Sequence, residues 1–225
     1  MTRTGPRIAL IHALAHSQAP INEAMARDWP EASRMNLLDD SLSADLAAGT
    51  GLDAFMHERF QRLAQYAVDC GSDAILFTCS AFGACIERVA EIHAPLPVLK
   101  PNEAMIADAA ALGLRVGLVA TFAPTLQSMP AEFPAGVPLE CVLADGALAA
   151  LNEGDAQRHD ALIAQAAMEV ARRGCGVIAL AQFSMARAQA RVAAETGLPV
   201  LTTVDSAVRA LRRAVSPSPS GRGAG

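Results

Sequence analysis

A thiol stands between two hydroxyls in Thr78-Cys79-Ser80, where the apolar run Ala74 to Phe77 ends. Small residues follow at Ala81, Gly83 and Ala84, and then a charged, helix-like segment. A strand ending in such a turn delivers its side chains to the carboxyl edge of a sheet, where open α/β folds place their ligands. Amides that open the next helix favour an anion there and can lower the pKa of a nearby thiol. A thiolate beside donors that hold a carboxylate can serve as base for a carbon acid, and that is the chemistry expected of Cys79. Its bland alternative is a small buried hydrophobe, since free cysteine is among the most buried residue types.

Other chemistries find less material. His12 and His16 have the four-residue spacing of a helical metal pair, but they straddle a strand end and a loop with no third ligand, so no metal site is expected. His57, His93 and His159 read as surface or helix-end residues. Lys100 is the only lysine, and neither G-x-x-x-x-G-K-[ST] nor G-x-G-x-x-G occurs, which removes the phosphate-binding loops. A net charge of −5 without a basic cluster argues against nucleic acid. The cysteines at 70, 79, 85, 141 and 175 are odd in number and lack a C-x-x-C, as in a reduced protein. The N-terminal stretch reads directly into a strand, and no apolar run is long enough to span a bilayer, so a cytoplasmic protein without membrane contact is expected.

The elements that must position Cys79 follow from periodicity. Short apolar runs at 7–13, 34–39, 73–79, 96–100 and 115–121 read as buried strands. Met56, Phe60, Leu63 and Ala67 fall on one helical face, and helices are also expected at 84–94, 102–113 and 160–174. The pattern then repeats: "GVIALAQFSMARAQARVAAETGLPVL" (176–201) aligns with "DAILFTCSAFGACIERVAEIHAPLPVL" (73–99) with one single-residue gap. Two similar α/β lobes with parallel sheets are therefore expected, 1–100 and 114–204, with a final helix 205–214 packing back on the first. Residues 215–225 are rich in Ser, Pro and Gly and should be disordered.

The repeat, the "TCSA" turn and "GLVATFAPTL" together resemble the aspartate/glutamate/hydantoin racemase superfamily over about residues 7–210. The resemblance implies two pseudo-symmetric flavodoxin-like lobes with the active site in the cleft between them, no cofactor, a small carboxylate substrate and a homodimer. One cysteine per lobe would work on opposite faces of the substrate's α-carbon. By that pattern Cys79 is the first-lobe thiol, Thr78 and Ser80 hold the carboxylate, Thr121 and Thr125 bind it from the second lobe, and His12 and Ser17 line the cleft after the first strand.

One position departs from the pattern. The repeat places Gln182 where the second thiol belongs, while Cys175 lies at the far end of its strand. Gln182 can donate a hydrogen bond but cannot carry a proton, and Ser184 offers only an unassisted hydroxyl. A racemase or isomerase with Cys79 as acid/base therefore competes with a one-thiol decarboxylase of the arylmalonate type. It also competes with a non-catalytic carboxylate-binding protein, and with a redox sensor pairing Cys79 and Cys85.

Overall fold

The structure is a computed structural model that describes residues 5–49 and 51–216. Of the expected tail, Val215 closes the last helix and Ser216 follows it; residues 217–225 lie outside the described residues.

The buried runs become strands. The first lobe contains β1 (Arg7–His12), α1 (Gln18–Asp28), β2 (Ser33–Leu38), α2 (Ser41–Ala48), α3 (Ala54–Asp69), β3 (Ala74–Phe77), α4 (Gly83–Ile92), β4 (Val98–Leu99) and α5 (Glu103–Ala111). The second contains β5 (Val116–Ala120), α6 (Ala123–Ser128), β6 (Leu139–Leu143), α7 (Ala147–Asn152), α8 (Ala156–Arg172), β7 (Val177–Leu180), α9 (Gln189–Thr196), β8 (Val200–Thr202) and α10 (Thr203–Val215). Each lobe has a four-stranded parallel sheet, ordered β2-β1-β3-β4 and β6-β5-β7-β8, the order of a flavodoxin-like half.

Equivalent residues occupy equivalent places. Ile8 pairs with Ala74 as Val116 pairs with Val177. The amide of Thr78 donates to Ile11 O at 3.0 Å, and that of Ala181 donates to Val119 O at 3.0 Å. This register puts Cys79 and Gln182 at the same position in their respective sheets.

Both faces of each sheet are covered, which is why the strands read as continuous apolar runs. Ala9, Ile11, Ile75 and Phe77 pack against residues of α3 and α4. Ile8, Leu10 and Leu76 pack against α1 and α10. In the other sheet Val119, Ile178 and Leu180 meet α8, and Leu118, Ala120 and Ala179 meet α5. Each lobe's last helix thus crosses to cover the other lobe's sheet. The two crossing helices meet where Asp108 accepts hydrogen bonds from Ser206 at 2.7 Å and Arg209 at 2.6 Å. Gly117 lets α8 approach β5, since a Cβ there would lie 2.5 Å from Val170 Cγ2.

His159 corrects its surface reading. It is fully buried on α8, one turn before Ile163, with Nδ1 2.9 Å from Asp160 Oδ1. Among the described residues no helix is long and apolar enough to cross a membrane.

Candidate active site

The nine residues singled out by sequence gather at the carboxyl edges of the two sheets, in two polar groups. In the first lobe Cys79 follows β3 in extended conformation (φ −127°, ψ 123°) and precedes a single 3-10 turn, Ser80–Phe82, that leads into α4. Phe77 and Phe82 flank it in sequence. Both rings pack on Phe60, with centroids 5.2 and 4.9 Å away. This aromatic base packs beneath the turn, where stacked and tilted rings add packing energy beyond area alone. Cys79 keeps some solvent contact while packing against the same apolar cluster.

The expectation of a lowered thiol pKa is overturned. Burial pushes the Cys79 thiol above its ordinary value of 9.0, and hydrogen bonds from the Ala81 amide and the Ser43 hydroxyl offset this only in part. Desolvation penalises the thiolate more than the short turn's donors repay. Ser43, on α2, was missed in the sequence; its hydroxyl also reaches Ala13 O at 3.1 Å.

His12 is the last residue of β1, not a loop residue, and it is fully buried. Its Nε2 lies 3.0 Å from Asn36 Oδ1, which also accepts from Asn22 Nδ2 at 2.9 Å. An amide oxygen can only accept, so Nε2 carries the proton. Nδ1 then accepts from the Thr78 hydroxyl at 2.8 Å. Burial lowers the His12 pKa below 6.5 against the raising effect of Asn36, so the imidazole is neutral at pH 7. Thr78 is 4% exposed with its proton turned toward His12, which leaves Ser80 as the half-buried hydroxyl of this turn. Ser17 ends the 3-10 turn Ala15–Ser17 and is buried.

The second group is built on Gln182, which follows β7 as Cys79 follows β3. The Thr121 amide donates to Gln182 Oε1 at 2.8 Å, and the Thr121 hydroxyl at 3.2 Å. That fixes the amide's orientation, because the backbone N–H can only donate. Gln182 Nε2 donates to Thr125 Oγ1 at 3.5 Å and keeps a second N–H. Thr121 and Thr125 are buried, whereas Gln182 and Ser184 are half-buried. Ser184 lies in the 3-10 segment Phe183–Ala188, beside Gln182.

The lobes meet beside these groups. The segment Phe183–Ala188 touches the 3-10 turn Ala15–Ser17 and α1. Phe183 itself is buried in the first lobe's core, among Ile8, Leu10, Ile21 and Met25. Cys85 is buried, Cys175 is buried before β7, and among the described residues no cluster of three potential metal ligands forms.

The family described as Asp/Glu/Hydantoin racemase matches residues 15–211 of the chain. Among solved structures, the aspartate racemase of Picrophilus torridus superposes with a TM-score of 0.73 at 12% identity, covering 94% of each chain. The allantoin racemase of Klebsiella pneumoniae gives 0.69 at 19%, covering 94% of this chain and 88% of its own. A glycine-to-cysteine mutant of arylmalonate decarboxylase gives 0.68 at 18%, covering 97% of each. At such identities the likeness speaks to the fold. No curated protein matches the chain by sequence.

Proposed function

Because the chain belongs to the Asp/Glu/hydantoin racemase family, we propose that it is an isomerase-type, cofactor-independent enzyme acting on a small carboxylate through a carbanion or enediolate. The observation that carries this reading is the register that sets Cys79 and Gln182 at the same position of two equivalent sheets. Cys79 is the proton carrier. Its thiolate takes the α-proton, the C–H electron pair passes into the enediolate, and a proton delivered to the opposite face by a non-cysteine acid inverts the centre. Ser80 and the amides of its turn hold the carboxylate in the first lobe. The free N–H of Gln182, with Thr125 and Ser184 nearby, supplies donors from the second. His12 touches no substrate; it acts through Thr78, whose hydroxyl it orients, while Thr121 orients Gln182. Ser17 supports the turn beside the first-lobe site. Donors placed before charge develops cost no reorganisation as the enediolate forms, so they provide much of the rate enhancement.

Decarboxylation is the second reading, and the raised thiol pKa favours it. In that reaction the C–C bond breaks, the electron pair stays on carbon as the enediolate, and a protonated Cys79 delivers its proton to one face. A single thiol suffices. Incubation in heavy water with amino acids, hydantoins, malonates and maleates, followed by proton NMR, separates the cases. Loss of the α-proton signal that disappears in Cys79→Ser supports isomerase-type chemistry, and new product peaks without exchange support decarboxylation or isomerisation. An unchanged panel, with a ligand shown to bind, leaves a non-catalytic carboxylate-binding protein.

A further inference from the structure

The carboxyl edges of the sheets carry exposed hydrocarbon that the polar groups do not use. Leu14 lies two residues past β1 and Phe122 two residues past β5; they are 43% and 47% exposed. They are equivalent by register, and their backbones match, at φ −144°, ψ 134° and φ −132°, ψ 117°. Leu38 ends β2 beside His12 and is 42% exposed. Phe82, Phe133 and Phe183 are buried and Phe122 is open, while Phe55, 62% exposed in the first turn of α3, lies under the Arg59 guanidinium. Exposed apolar groups at matched positions of the two halves, on the edge that carries the polar groups, are placed to meet the hydrocarbon of a ligand.

Three of the cations at the same edge are already committed. Arg59 is held by Asp39 and Asp45, Lys100 by Glu87 and Glu103, and Arg187 by Asp160. A substrate's second carboxylate finds no spare cation among these three, whereas a hydrocarbon substituent finds Leu14, Leu38 and Phe122.

We infer that the site selects a carboxylate whose α-carbon bears an apolar substituent, aliphatic or aryl, over one bearing a second carboxylate, with Phe122 and Leu14 as the specificity-determining residues. The inference rests on the carboxylate-binding site proposed above. Phe122 and Leu14 contact the substituent, so their truncation weakens the binding of apolar members.

Two matched pairs test it: 2-methyl-3-phenylpropionate against 2-methylsuccinate, and phenylalanine against glutamate. Calorimetry on the intact protein should show the apolar member binding about ten- to a hundred-fold more tightly. Phe122→Ala and Leu14→Ala should each remove much of that ratio, and both positions are exposed enough to keep the fold. Where exchange occurs, the loss should appear in KM. Equal or tighter binding of the acidic members, no measurable binding of any of the four, or an unchanged ratio in both variants overturns the inference. Apolar preference without α-proton exchange sustains it while removing the isomerase-type reading. Exchange that prefers the acidic members does the reverse.

Discussion

Burial at its turn favours the thiol form of Cys79. With its pKa above 9.0, the thiolate fraction grows about tenfold per pH unit through the neutral range. Proton abstraction by Cys79 should therefore accelerate with pH and level off above 9.0, whereas decarboxylation, which needs the thiol, should slow there. Iodoacetamide alkylation of Cys79 should show the same midpoint; one well below 9.0 would remove the desolvation argument. His12 titrates in the opposite sense. Its folded-state pKa is depressed below 6.5, so the unfolded chain binds the proton more readily. Stability from the neutral imidazole is present above pH 6.5 and is lost as pH falls from there through the folded-state value. Nitrogen NMR should report an Nε2–H tautomer titrating below 6.5, and Asn36→Ala, which removes the raising hydrogen bond, should lower the midpoint further. Cys79, Ser80 and Gln182 were legible in the sequence because they sit at repeated positions after buried strands. Ser43, Asn22 and Asn36 were not, because their role depends on β2 and α2 meeting β1, a tertiary pairing that no local pattern records.

Phe183 links the two lobes at the level of elements. It neighbours Gln182 in sequence yet is buried in the core of the other lobe. Phe183→Ala should cost about 3–5 kcal/mol in urea denaturation, as a buried aromatic does when nothing refills its volume. A cost below about 1 kcal/mol would mean that the site loop is not anchored there. Sequence periodicity found β1, β3, β5 and β7, which are buried on both faces. It did not separate β6 from an apolar loop, because that edge strand is only partly covered. Nor did it show α1, whose second turn opens just after Pro20 and whose apolar face is narrow. His159 was misread for a related reason: its place one turn before Ile163 signals burial, but its chemistry suggests surface.

The whole molecule is one lobe used twice, with a thiol at the site in one copy and an amide in the other. Both the repeat and its departure at Gln182 were visible in the sequence, since strand, turn and helix recur with nearly constant spacing. The crossing of α5 and α10 between lobes was less so, because which sheet a helix covers depends on connection geometry. Gln182→Cys should give the second lobe a thiol at the position equivalent to Cys79. Chiral chromatography should then show racemisation in the variant on a substrate that the parent exchanges on one face only. The most direct test of Cys79 as proton carrier combines two readings on one sample: α-deuterium incorporation by proton NMR and enantiomeric purity by chiral chromatography, for wild type and Cys79→Ser. The account predicts deuterium entry at the α-carbon that falls about 10²–10⁴-fold in Cys79→Ser, with racemisation and one-faced exchange told apart by the enantiomeric purity. Full exchange in Cys79→Ser would contradict it.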